Sequence, residues 1–181
     1  MLELSKKPCH LGNSMSTNTE RHGEEDVGAI DLPLDGIVLN RKELDALLGK
    51  DAHAAIYVTA GKDAMPEIRF PSLKPLAFKD HFEGATVILE LGMDGDRFVL
   101  DDCKVRSVQL TPQAGGLTLM KCSIRSTPDS DTVAVLYDHL NTDGMVQIEN
   151  AKAAEPRKSK QKDLPLSEGE DGEQGEQSEA A

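Results

Sequence analysis

Histidines stand at positions 10, 22, 53, 81 and 139, and cysteines at 9, 103 and 122. Their spacing decides whether metal or nucleophilic chemistry is within reach. A zinc site needs Cys and His ligands in close pairs, because short loops must bring them to one ion. No histidine here has that spacing to a cysteine or to another histidine. His81, in KDHFEG next to Asp80, reads as part of a turn, and His139, near Tyr137 on a predicted helix, as a surface or boundary residue. Asp101 and Asp102 are neighbours on a predicted strand, so their carboxylates point to opposite faces and do not converge. The run Asp94-Gly95-Asp96 lacks the further ligands of a calcium loop. Gly115-Gly116 precedes neither a helix nor a Lys-Ser/Thr pair, so it is no phosphate loop. With no Ser-His-Asp or Cys-His pattern either, the chain is read as a non-enzyme, with no catalytic residue, metal or cofactor.

The 181 residues carry 32 acidic and 20 basic side chains, a formal charge of −12. Such a chain repels nucleic acid overall, so strong direct capture of DNA or RNA is not expected. With no Trp, two Tyr and four Phe, it also lacks the aromatic platform of a single-strand binder. Three cysteines, an odd number, and no secretory segment fit a reducing cytosol, so Cys103 and Cys122 are read as buried free thiols on adjacent strands. No apolar run approaches the roughly 18 residues a membrane helix needs. The expected location is cytoplasmic, in the host cell if the chain is phage-encoded.

These residues must be positioned by a domain, expected over 30–150. Residues 1–29 are polar and aperiodic and are read as a disordered segment. Met15 offers an alternative start, and residues 1–14 are given no structural weight. Ile37, Val38 and Leu39 predict a short strand. Asn40 and Glu43 then form a capping-box pattern for a helix with Leu44, Leu47 and Leu48 on one face and Gly49 as its stop. Ala52–Gly61 reads as a strand. Pro66, Pro71 and Pro75 impose an extended edge segment with Phe70, Leu73, Leu76 and Phe78 turned inward. A strand over Thr86–Leu91, a turn at Asp94-Gly95 and a return strand follow. In that return strand the alternation of Cys103 and Val105 shifts phase at Val108 and Leu110, which predicts a bulge at Arg106 and Ser107. Met120, Cys122 and Ile124 share a face of the next strand. A second helix is expected, capped by Ser130 or Asp131, with Val133, Leu136, Tyr137 and Leu140 on its apolar side and Gly144 at its end. MVQIEN is a last short strand. The fold class is α+β: a hairpin-rich antiparallel sheet, curled or an open barrel, packed with two short helices between disordered N- and C-terminal tails.

Residues 151–181 form a basic-then-acidic tail, read as disordered. Its only large apolar side chains are Leu164 and Leu166, in the hexapeptide QKDLPL. Gln161, Leu164 and Leu166, with Pro165 before the last leucine, resemble the motif by which bacterial proteins dock on the DNA polymerase sliding clamp. The resemblance covers six residues, and Leu166 stands where the strongest form has an aromatic. It implies Gln161 in a small polar pocket, the leucines in an apolar cleft and an extended peptide. Pro165 favours that extended backbone at Leu164. The neighbouring Arg157, Lys158, Lys160 and Lys162 would then lie close to DNA threaded through the clamp. The same basic run also resembles a nuclear-import signal.

The core, with LNRKELDALLG, FEGATVILELG and DDCKVRSVQLTPQAGGLTLMKCSI, resembles small proteins encoded by tailed bacteriophages and prophages to which no activity is attached. Together the two resemblances imply an accessory protein of phage or bacterial DNA replication or recombination, with an unknown protein partner for the core and no membrane. The alternatives are an acidic mimic of nucleic acid that inhibits a host protein, and a minor virion or assembly protein.

Overall fold

A computed structural model describes residues 2–22, 25–61, 64–72, 74–79, 81–92 and 95–153. Its centre is a closed, six-stranded antiparallel barrel. The ring consists of β1 (Leu2–Leu11), β10 (Asp143–Ala153), β7 (Phe82–Leu91), β8 (Asp96–Pro112), β9 (Thr118–Ser126) and β3 (Glu25–Leu39). It closes where β1 meets β3, with His10 opposite Asp35 and Leu11 opposite Leu34. Closure removes the free strand edges that an open sheet would present to other chains.

The length of β3 makes the closure work. It has 15 residues, and along one edge the stretch from Ile30 to Leu39 pairs with β9. Along the other edge its first half takes β2 (Ser16–His22), which stands outside the ring, and its second half takes β1. Gly12 sits at the changeover, its amide donating to the Pro33 carbonyl at 2.8 Å. A Cβ there would lie 2.7 Å from Pro33 Cγ, so only glycine fits without displacing the proline ring.

The expectation of a disordered segment over 1–29 is corrected. β1, β2 and the start of β3 occupy it, and Leu2, Leu4, Cys9 and Leu11 are buried in the barrel. The apolar alternation that would announce β1 is broken by register shifts between Leu2 and Leu4 and between Leu4 and Lys7. At the other end β10 runs to Ala153, three residues past the expected boundary at 150, and lies between β1 and β7 as a central strand.

Helix α1 (Arg41–Leu48) forms as its sequence predicts. Asn40 Oδ1 accepts from the Glu43 amide at 3.1 Å and Glu43 Oε2 accepts from the Asn40 amide at 2.8 Å, a complete capping box. Gly49 closes it at φ +110°, and Leu44 is the residue it buries. The strand expected over Ala52–Gly61 is replaced by a short helix, α2 (Ala52–Ile56), before the two-residue strand β4 (Tyr57–Val58). Three alanines favour helix there, and the Asp45 carboxylate accepts from the His53 amide at 2.7 Å. β4 pairs with β5 (Glu67–Ile68), and β6 (Leu76–Ala77) lies along β8. In this proline-rich stretch Leu76 and Phe78 pack against the core, but Phe70 is 57% exposed, against expectation. Leu73 lies outside the described residues.

β7 and β8 form the expected hairpin, with Leu91 opposite Asp96. Asp94 of the expected turn lies outside the described residues. Helix α3 (Ser130–Asp138) is capped by Asp129 rather than Ser130 or Asp131: its carboxylate accepts from the Thr132 amide at 2.8 Å. Leu136 is buried, but Tyr137 points to solvent, and the helix stops before Asn141, which takes φ +62°. Gly144, the expected helix stop, is a β10 residue opposite both Cys9 and Leu91. Among the described residues there are three short α-helices where two were expected, within the α+β class and its hairpin-rich antiparallel sheet.

Candidate functional site

One stretch of the barrel's outer face is built from four adjacent strands, β8, β9, β3 and β2. The inward residues Ile30 and Leu32, Cys122 and Ile124, and Cys103 and Val105 fix which neighbours point outward. Strand register then sets Ser16 opposite Asp31, Asp31 opposite Arg125, and Arg125 opposite Lys104. One step along, Ser123 faces Arg106. The result is a row of small hydroxyls, one carboxylate and three cations running from β2 to β8.

The carboxylate is held from several sides. Arg125 Nε donates to Asp31 Oδ1 at 2.8 Å and its Nη2 to Oδ2 at 2.5 Å, and Asn18 Nδ2 donates to Oδ2 at 2.7 Å. Arg106 Nη1 stands farther off, 3.9 Å from Oδ1. The Arg125 and Asp31 side chains are 18% and 16% exposed, whereas Arg106 is 40% exposed.

The bulge predicted at Arg106 and Ser107 is present as a register shift between Arg106 and Gln109. Ser107 takes φ +51°, a left-handed conformation that costs a non-glycine residue about 1–3 kcal/mol. In an unbroken strand Arg106 and Ser107 would point to opposite faces. Here both line the same open hollow of about 330 Å³, with Ser16, Asn18, Asp31, Ser123 and Arg125. The hydroxyls of Ser16, Ser107 and Ser123 make no hydrogen bond to another described residue. Two guanidiniums, three hydroxyls, an amide and one carboxylate line the hollow.

Comparison with protein-family models, curated proteins and solved structures finds no match for this chain.

At one end of the barrel, buried Tyr57 anchors α2 and β4 to the chain after β8. Its hydroxyl donates to the Leu117 carbonyl, accepts from the Gln113 amide at 3.2 Å and shares a hydrogen bond with buried Thr118 Oγ1 at 3.0 Å. His53 Nε2 meets the Gly116 carbonyl at 3.0 Å. This set holds the fold rather than a ligand. His10 pairs with Asp143 at 2.8 Å, His81 with Glu83 at 2.7 Å, and His139 with Asp96 at 2.9 Å. Asp80, the neighbour of His81, lies outside the described residues. No group of three His, Cys, Asp or Glu side chains among the described residues could hold a metal ion.

Cys103 and Cys122 are buried free thiols, as is Cys9. Burial first, then nearby Asp143 and Asp35, pushes Cys9 up to about 12. Burial also raises Cys103 to about 11 and, with Cys9 beside it, Cys122 to about 12. Such thiols are poor nucleophiles. Asp101 and Asp102 do not converge: Asp101 accepts from Thr86 Oγ1 at 3.0 Å, and Asp102 sits at a second irregularity with φ +51°.

The peptide Gln161, Leu164, Pro165 and Leu166, and the cations Arg157, Lys158, Lys160 and Lys162, lie outside the described residues. No helix among the described residues is long and apolar enough to cross a membrane. The arginine-serine hollow went unrecognised in the sequence because its residues come from four strands spread over 16–125. Only the phase shift at Arg106 pointed to it.

Proposed function

We propose that this chain is a non-enzymatic accessory protein of phage or bacterial DNA replication or recombination, recruited to the DNA sliding clamp by Gln161, Leu164, Pro165 and Leu166. The observation that carries the reading is the isolated leucine pair in the QKDLPL register, in a stretch from Ala151 to Ala181 with no other large apolar residue. The fold lends indirect support. The ring of strands is already closed by β1 and β3, and its core is filled by side chains from the ring and its helices. The leucine pair is not needed to complete it. Gln161 follows the end of β10 by eight residues, so the peptide begins soon after the barrel ends. Arg157, Lys158, Lys160 and Lys162 would face DNA inside the clamp.

The acidic-mimic alternative calls for a face of carboxylates. The outer face of β8 and β9 instead carries Lys104, Arg106, Lys121 and Arg125, which favours the adaptor reading.

The test is binding of a labelled Ser159–Glu170 peptide, and of the full chain, to purified bacterial sliding clamp. Micromolar binding by both, lost when Gln161, Leu164 and Leu166 are all changed to alanine, is the expected result. Equal binding by the triple variant would refute the proposal.

A further inference from the structure

We infer that the hollow between the β2–β3 hairpin and α3 is a docking site for the chain's own residues 163–167, which add to β2 as an extended strand and seat Leu164 and Leu166 there. The segment lies outside the described residues. The inference stands apart from the clamp proposal: it concerns a surface of this chain and its test contains no clamp, so either can fail while the other holds.

The surface has an open edge and an open floor. β2 pairs with β3 along one edge, and its other edge has no partner strand among the described residues. Seven residues of strand edge offer a row of backbone donors and acceptors to an added strand. Beside it lies a hollow of about 240 Å³, with Thr17, Gly28, Ile30, Pro128, Ser130 and Val133 along its walls. Gly28 stands in mid-strand opposite Thr19 and has no positive φ, so no turn requires it. A Cβ there would meet nothing within 4 Å. Glycine inside a strand often marks the close approach of another backbone.

The chemistry of residues 163–167 suits that surface. In an extended strand, alternate residues turn their backbone groups to the same edge and their side chains to the same face. Leu164 and Leu166 would therefore present their N–H groups to β2 together and their side chains to one face. Pro165, which has no N–H, would turn to the outer edge, where a sheet tolerates proline. A second copy joined β2 to β2 would instead bring Ser16, Thr17, Asn18 and Thr19, with no large apolar side chain for the hollow.

Length and charge agree. β10 ends at Ala153, and a row of register partners leads from there across the sheet, from Ala153 to Phe82, Val105, Ile124 and Leu32. Leu32 adjoins Asp31, the partner of Ser16 on β2. The five strand spacings amount to about 24 Å. The eleven residues from Ala153 to Leu164 span up to about 36–40 Å when extended, so the leucines reach the hollow with chain to spare. That connecting stretch carries Arg157, Lys158, Lys160 and Lys162 against Glu155 and Asp163. α3 and its cap, which form one wall of the hollow, carry Asp129, Asp131 and Asp138 and no lysine or arginine. The cations are drawn toward the helix that borders the site.

The experiment compares the full chain by NMR with Leu164→Ala/Leu166→Ala and with Gly28→Val. Amides of Thr17, Asn18 and Thr19 should exchange with solvent about tenfold more slowly in the parent than in the leucine variant. Amide shifts between the two should centre on Thr17, Gly28 and Val133. Gly28→Val fills the hollow with a good strand former and should speed exchange as the leucine variant does, with thermal unfolding near that of the parent. A nitroxide on Ser167→Cys, the native thiols being buried, should broaden Thr17, Gly28 and Ser130, and should not do so when Gly28→Val is added. The leucines stand outside the barrel, so their variant decides the question even where Gly28→Val unfolds. Equal exchange and unchanged shifts in the leucine variant would overturn the docking site. Isotope-labelled chain mixed with unlabelled nitroxide-bearing chain tests the alternative occupant. Broadening in that mixture as strong as within one chain would overturn docking by the chain's own segment in favour of a second copy.

Discussion

Arg125 on β9 grips Asp31 on β3 through two hydrogen bonds, one to each carboxylate oxygen, at 2.8 and 2.5 Å, with both side chains less than one-fifth exposed. The pair staples two strands of the ring and forms the floor of the arginine-serine hollow. A bidentate pair this shielded should exceed the 0–1 kcal/mol of an ordinary surface ion pair. Asp31→Ala and Arg125→Ala, measured singly and together by urea unfolding, should give a coupling energy of about 1–3 kcal/mol. A coupling of a few tenths would reduce the pair to a solvated contact. The cycle is needed because Asp31 also accepts from Asn18, so neither single variant isolates the bond.

β1 makes the N-terminal residues indispensable. A chain beginning at Met15 would lack buried Leu2, Leu4, Cys9 and Leu11, and would leave the free edges of β10 and β3 unpaired. Full burial of one such leucine contributes about 1.5–3 kcal/mol, so three of them rival the 5–15 kcal/mol by which a domain is stable. The shortened chain should lose its cooperative thermal transition and aggregate through the exposed edges. Circular dichroism melting and size-exclusion chromatography of the two chains would show it. A Met15-initiated chain that melts like the full one would mean that β1 adds nothing to the barrel.

The contrast between α1 and β1 shows what a sequence of this kind discloses. The capping box of Asn40 and Glu43 lies within four residues, and local hydrogen bonding decides it wherever the helix goes. The bulge at Arg106 was legible because strong alternation on both sides of it exposed a change of phase. β1 was not, because its own register shifts scatter Leu2, Leu4, Cys9 and Leu11 out of any regular period, and the lysines and proline between them look like linker. α2 was read as a strand because its few residues are too short to show a helical period, and the Asp45 contact that supports it comes from the preceding helix. The hollow was hidden for a more general reason. Ser16, Asp31, Arg106 and Arg125 become neighbours only once β3 has paired with both β2 and β9, and that pairing is a property of the closed ring rather than of any one segment.

The three thiols report on the integrity of the ring. Cys9, Cys103 and Cys122 are buried in three different strands, and burial raises each to between about 11 and about 12. Thiolate is the reactive form, so at pH 8 all three should resist a disulfide reagent such as Ellman's in the folded protein. Three equivalents should react once denaturant is added. Fast reaction of one equivalent in the native state would mean that its strand opens locally, and Cys9, beside the β1–β3 closure, would be the first to examine.

His10 offers a pH-dependent readout at that same closure. Its Nδ1 lies 2.8 Å from Asp143 Oδ1 on β10, and its strand partner is Asp35 on β3. The hydrogen bond to Asp143 is the main cause that raises its pKa above the ordinary 6.5, with desolvation opposing and Asp35 and Asn141 adding to the rise. A histidine with a raised folded pKa stabilises the native state most fully below the unfolded value. That contribution fades as pH climbs through the folded value. The stabilisation at this seam should therefore be complete below about pH 6.5 and be lost above the folded midpoint, the reverse of what a salt-bridged carboxylate would give. An NMR titration of the His10 ring should place its midpoint above 6.5. Asp143→Asn should move it most of the way back, and Asp35→Asn by less. If Asp35→Asn had the larger effect, the charge across β1 and β3, rather than the bond to β10, would govern this histidine.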